Sequence, residues 1–143
     1  FFLDSAGRRL RSMSNLKQPT DCPCGSGKAF SVCCQPYVNG SELPATAEAL
    51  MRSRYTAYVR EDESYLLATW HADTRPDTLH FDQTPRPHWL GLKVLGRHTL
   101  DETHATVEFV ARYKINGRAF RIHETSRFEQ IAGHWYYRDG ELA

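Results

Sequence analysis

The chain has no excess of charge, with 18 lysines and arginines against 17 aspartates and glutamates and a formal net charge of +1. That balance removes the electrostatic case for nucleic acid or an acidic surface as partner. No apolar run is long enough to span a bilayer, so no membrane partner is expected. There is no internal repeat, no glycine-rich phosphate loop and no Gly-x-Ser-x-Gly elbow, which argues against solenoids, P-loop chemistry and hydrolase folds. Outside residues 22–34 there is no cysteine at all, whereas a small disulfide scaffold needs cysteines throughout its length. What is present is ordinary: 41% hydrophobic and 12% aromatic residues in 143. That suffices for one domain with its own core and a short appendage.

Charge is uneven at the start, where Arg8, Arg9, Arg11, Lys17 and Lys28 are opposed only by Asp4 and Asp21. We read this basic arm as a solvated tail rather than a phosphate-binding one. Phe1-Phe2-Leu3-Asp4 has the wrong order for a secretory signal, and Met13-Ser14-Asn15-Leu16-Lys17 reads as a natural start. Residues 1–12 are therefore expected to be an overlong gene start, and 1–20 a disordered tail.

All four cysteines lie in Cys22-Pro23-Cys24-Gly25-Ser26-Gly27-Lys28-Ala29-Phe30-Ser31-Val32-Cys33-Cys34. A Cys-x-Cys pair followed after eight residues by Cys-Cys suits one tetrahedral zinc ion, with the Gly-Ser-Gly turn folding the chain back on itself. Disulfides are the other possibility, but neighbours such as Cys33 and Cys34 rarely pair with each other without strain. Four thiolates leave no open coordination position, which makes the expected zinc structural. Thiolates on zinc and the missing signal predict a cytoplasmic protein.

Past the turn-rich 38–41, Thr46 reads as the N-cap of a helix running to about Arg60, with Glu48 in its first turn. A second helix is predicted over Glu63–Trp70. The prolines and aspartates of 72–88 predict a long connection with one helical turn at Thr78–Phe81. Strands follow at 89–99, 105–114, 119–131 and 134–139, with Asn116-Gly117 a strong hairpin signal. Helices first and then an antiparallel meander predict an α+β fold.

Helical spacing puts Ala47, Leu50, Met51, Ala57 and Tyr58 on one face with Arg54 in its middle, and Arg52 and Arg60 on the opposite, solvent side. A guanidinium inside an apolar stripe needs a partner. Alternation in the third strand aims Glu124 and Ser126 into the same layer as Phe120, Ile122 and Phe128. Arg54 and Glu124 are thus expected to meet across the core, either as a structural ion pair or as the polar floor of a ligand pocket. Trp70 and His71 close the second helix, where His71 either suits the helix dipole or serves as a general base at a pocket mouth. Trp135 and Tyr137 share a face and are predicted to be core. The remaining histidines show no metal spacing and are read as surface residues.

Cys22, Cys24, Gly25, Ser26, Gly27, Phe30, Cys33 and Cys34 resemble the SEC-C motif, the zinc element of a bacterial preprotein-translocase ATPase. Residues 46–59, Tyr65-Leu66, Thr69-Trp70-His71, Trp89-Leu90-Gly91-Leu92, residues 107–111, Glu124-x-Ser126-x-Phe128 and Trp135-Tyr136-Tyr137-x-Asp139-Gly140 resemble the YchJ-like bacterial proteins. That resemblance implies a SEC-C element over 21–40 and an NTF2-like domain over 44–143, a cone of curved antiparallel sheet wrapped on helices. It supplies architecture and names no activity. One expectation is a zinc-stabilised adaptor whose SEC-C element docks a protein partner. The alternative is an isomerase- or dehydratase-like enzyme with a small-molecule ligand in the cone. Its pocket candidates are Arg54, Tyr58, Trp70, His71, Glu124 and Ser126, with Cys22, Cys24, Cys33 and Cys34 as metal ligands.

Overall fold

Thr46 opens the longest helix, its hydroxyl accepting from Ala49 N at 3.0 Å, and Glu48 stands in the first turn. Both features follow the sequence signals and help satisfy the exposed amides of a helix start. The computed structural model describes residues 20–143. The expectations for residues 1–12, for the arginines and Lys17 of the basic arm and for all but the last residue of the 1–20 tail lie outside the described residues. Within them, a 3-10 turn at Phe30–Val32 leads to α1 (Gln35–Val38), α2 (Ala47–Arg60) and α3 (Glu63–Ala68). Four strands complete the chain: β1 (His88–Thr99), β2 (His104–Ile115), β3 (Arg118–Ile131) and β4 (His134–Leu142). No described helix is long and apolar enough to cross a membrane.

The strands form one antiparallel sheet in the order β1-β2-β3-β4, the meander expected of an α+β chain. Asn116 and Gly117 both adopt positive φ between β2 and β3, the backbone a two-residue hairpin needs. Register shifts at Trp89/Gly91, Val94/Gly96 and Arg127/Phe128 interrupt the ladders, and such bulges bend the strands that carry them. The sheet packs on α2, and Leu50, Met51, Tyr55, Val107, Ala111 and Phe128 form a buried cluster between them.

Two boundaries and one expected helical turn differ clearly from the sequence expectation. The second helix stops at Ala68, not Trp70, because the backbone there turns to pair with β4. Tyr137 N donates to Thr69 O at 2.8 Å and His71 N donates to Tyr137 O at 2.7 Å. No helical turn forms at Thr78–Phe81. Instead Glu63 Oε2 accepts from Thr78 Oγ1 at 2.9 Å and from Leu79 N at 2.7 Å, fastening the connection to α3. The last strand runs past Asp139, since β3 offers it partners as far as Glu124↔Leu142.

Candidate functional site

Cys22 and Cys24 sit on a tight loop closed by Cys22 N donating to Lys28 O at 2.9 Å and Phe30 N donating to Thr20 O at 2.8 Å. Gly25 is required there twice over. Its φ is +80°, and a Cβ would lie 3.2 Å from Leu92 O of β1. The 3-10 turn then brings Cys33 and Cys34 back, so that all four Sγ atoms lie within 4.8 Å of one another. None is disulfide-bonded, and Cys24 Sγ is 3.6 Å from Cys33 Sγ. Sulfurs bound at about 2.3 Å around a tetrahedral ion stand about 3.8 Å apart, so the donor set fits one metal ion. Ser26 Oγ reaches Cys33 Sγ at 3.1 Å and Thr56 Oγ1 of α2 reaches Cys22 Sγ at 3.6 Å. Hydrogen bonds with Cys24 and Cys34 hold the Cys22 thiol far below the ordinary range. Contacts with Cys22 and Cys24 push Cys34 far above it.

This element is welded to α2. Arg52 Nη1 donates to Cys24 O at 2.9 Å while its Nε donates to Glu48 Oε2 at 3.0 Å, and Arg60 Cζ lies 4.7 Å from the Phe30 ring centroid. The expectation that Arg52 faces solvent is therefore corrected, since it is half-buried against the cysteine loop; Arg60 is exposed as expected and lies over the Phe30 ring from the solvent side. Cys22, Cys24 and Cys34 are 1%, 0% and 1% exposed and belong to the same buried cluster as Leu50 and Tyr55.

Another face of α2 borders a cavity of about 260 Å³. Arg54, Tyr58, Glu124 and Ser126 line it together with Met51, Trp89, Phe109, Ile122, Phe128 and Tyr137. Those four polar candidates line one cavity, but the expected contact between two of them is absent. Arg54 forms no ion pair with Glu124. Its Nη1 donates to Leu66 O at 2.8 Å and Thr69 Oγ1 at 2.7 Å, and its Cζ lies 4.9 Å from the Trp70 ring centroid and 4.6 Å from that of Tyr137. Glu124 Oε2 accepts from Ser126 Oγ at 2.7 Å and from Tyr137 OH at 3.5 Å. Tyr137 thus stands between cation and carboxylate, presenting a ring face to one and a hydroxyl to the other. Burial lowers the Arg54 pKa and raises those of Tyr58 and Tyr137, as expected when a charged form loses water.

A family model described as "YchJ, middle NTF2-like domain" matches residues 46–140, and the SEC-C motif matches residues 21–36. The chain belongs to the YchJ family. A UPF0225 protein of Ralstonia nicotianae is 53% identical over 131 residues, covering 85% of this chain and 90% of the relative. One from Polaromonas sp. is 55% identical over 130 residues, covering 84% and 91%. The solution structure of a SEC-C motif containing protein from Rhodopseudomonas palustris superposes with a TM-score of 0.74 at 35% identity, covering 85% of this chain and 98% of that one. A crystal structure of a SEC-C motif containing protein from Psychrobacter arcticus gives 0.67 at 25% identity, covering 93% and 86%.

Within this YchJ-family domain the other two pocket candidates lie outside the chamber. Trp70 does not line it; its ring braces Arg54 and meets Tyr137 edge-on at 5.1 Å, and its buried Nε1 has no hydrogen-bond partner. His71 is 9% exposed and belongs to a separate cluster. Its Nδ1 accepts from Asp73 N at 3.0 Å, and its Nε2 lies 3.1 Å from Arg138 Nη1 and 3.3 Å from Glu129 Oε1. Arg138 Nη1 donates to the same Glu129 oxygen at 3.1 Å. Both ring nitrogens have partners, and His71 does not line this chamber. Tyr137 packs on the core as expected and also lines the chamber, which the sequence reading did not include. The available signal was its phenol, which needs a polar partner when it points inward beside Glu124.

Proposed function

We propose that this YchJ-family protein binds a small molecule in the chamber between α2 and the sheet, and that a structural zinc ion in the cysteine element pins α2 in place. The observation that carries the reading is one apolar chamber holding a cation and a carboxylate that are not paired with each other. Ligand pockets have this composition, mostly apolar walls with a few convergent polar groups. Zinc is the ion favoured by four soft thiolate donors in a closed site. When bound it neutralises the thiolates and cross-links the loop to the start of α1, leaving no coordination position for a substrate.

A fragment screen by ligand-observed NMR tests the chamber. Hits should bind the wild type and be lost in Ala111→Leu, which fills the cavity from a residue only 3% exposed. A library with no hit sensitive to that substitution would sink the reading.

A docking role for the cysteine element is a second reading, favoured by its outward tip, where Val32 is 69% exposed. Identical partners captured by wild type and Val32→Asp would remove it. An isomerase- or dehydratase-like reaction would use the same chamber as the ligand. Glu124 would accept a proton while Tyr58 or Arg54 faces a developing oxyanion. The lack of an Arg54–Glu124 pair favours this chemistry, since such a pair weakens a carboxylate as a base. Turnover of a bound ligand that survives Glu124→Gln would exclude that role.

A further inference from the structure

Arg54 is only 5% exposed, yet it meets no carboxylate among the described residues. The Trp70 and Tyr137 rings, edge-to-face with each other, flank neighbouring sides of its guanidinium, Nη1 is held by Leu66 O and Thr69 Oγ1, and the Tyr58 hydroxyl also bonds to it. The donors left over for a ligand are on the remaining edge of the guanidinium, beside the Tyr58 hydroxyl, and an in-plane approach to that edge is the one a carboxylate prefers. A buried guanidinium without a counter-charge is costly, and an anionic ligand group removes that cost. At the other polar spot, Glu124 accepts from Ser126 and Tyr137 and lacks any cationic partner among the described residues. A carboxylate is an acceptor only, so what it receives from a ligand must be a donor. The Tyr137 ring separates the two spots, so one ligand atom does not serve both.

Resting on the chamber as a ligand site, we propose that its ligand is a small hydroxycarboxylic acid with an apolar body. The carboxylate lies against the open edge of Arg54, the hydroxyl donates to Glu124, and the body packs on Trp89, Phe109 and Phe128. The order is fixed by charge. Reversing it would set two carboxylates together at Glu124 and leave Arg54 uncompensated. The small volume of the cavity holds the class to compact molecules, at or below the lower end of ordinary ligand pockets.

The test uses the full chain and three matched probes: mandelate, phenylacetate, which lacks the hydroxyl, and 1-phenylethane-1,2-diol, which lacks the carboxylate. Affinities are read by NMR titration and by tryptophan emission, since Trp89 lines the chamber. In the wild type, mandelate should bind about tenfold or more tighter than the diol and several-fold tighter than phenylacetate. Arg54→Met should abolish the first preference, and Glu124→Gln should reduce the second. Because the wild-type series needs no variant, an unfolded Arg54→Met leaves the test intact. Equal binding of mandelate and the diol to the wild type overturns the ligand class while leaving the chamber as a site. Failure of all three probes together with an empty fragment screen overturns the chamber itself, and this inference with it.

Discussion

The two faces of α2 treat charge in opposite ways. Towards the cysteine element, Arg52 has both a carboxylate and a carbonyl, and every sulfur has near neighbours that match its chemistry. Towards the chamber, Arg54 and Glu124 occupy one cavity and do not meet. The closed face has the design of a support, with its polar groups satisfied inside the protein. The open face leaves polar capacity for something that is not protein. Function is therefore to be sought where satisfaction is incomplete, even though the cysteines are the more recognisable pattern.

The sharpest way to break this comparison is to strip the metal. If the cysteine element is the support, chelation should lower Tm by roughly 10 °C or more, given how strongly structural zinc couples to folding. An unchanged melting curve, with metal loss confirmed by elemental analysis, would remove the support role. Alkaline titration comes next. Burial pushes Tyr55 and Tyr65 up to about 12 and raises Tyr58 and Tyr137 as well. A raised phenol pKa means the folded state holds the proton more tightly than the unfolded state. This contribution is thus complete below about pH 10 and is lost as pH rises through about 12, on the order of 2 kcal/mol for Tyr55. Denaturant melts between pH 9 and 12 should show the decline alongside phenolate absorbance; a flat profile would mean that these rings are not sealed from water.

The smallest effect separates the two arginines. Arg52→Met should cost about 1–2 kcal/mol in urea unfolding, because Cys24 O loses a charge-assisted bond. Arg54→Met should stay within about 1 kcal/mol of wild type. It removes an unpaired buried charge, and Leu66 O keeps a donor in Thr69 Oγ1 at 3.3 Å. A larger loss for Arg54 than for Arg52 would reverse the assignment of support and site.

Much of this was legible in the sequence because it depends on short range. The cysteine spacing, the Thr46 cap, the Asn116-Gly117 hairpin and the inward facing of Arg54, Glu124 and Ser126 all follow from local period or turn chemistry. The misses arise where distant segments intervene. Helical periodicity finds one buried stripe on α2, whereas α2 has a second partner in the cysteine loop, so it places Arg52 in water when Arg52 bonds Cys24 O. Closing a predicted helix leaves His71 open to two readings, a dipole partner or a pocket-mouth base, but pairing with Tyr137 ends that helix early and His71 lies beside Glu129. Arg54 and Glu124 share a layer, as alternation predicts, and no period could reveal that Tyr137 stands between them.

Gly140 gives that arrangement a final consequence. The Glu124 carboxylate occupies the space that a Cβ at position 140 would need, the three nearest atoms all belonging to that one flexible side chain, and there is no positive φ to satisfy. A single methyl group there would evict the carboxylate while leaving the hairpin of β3 and β4 its hydrogen bonds. The carboxylate of the chamber and the pairing of β3 with β4 are thus separable at one position, where one small substitution moves the first and spares the second.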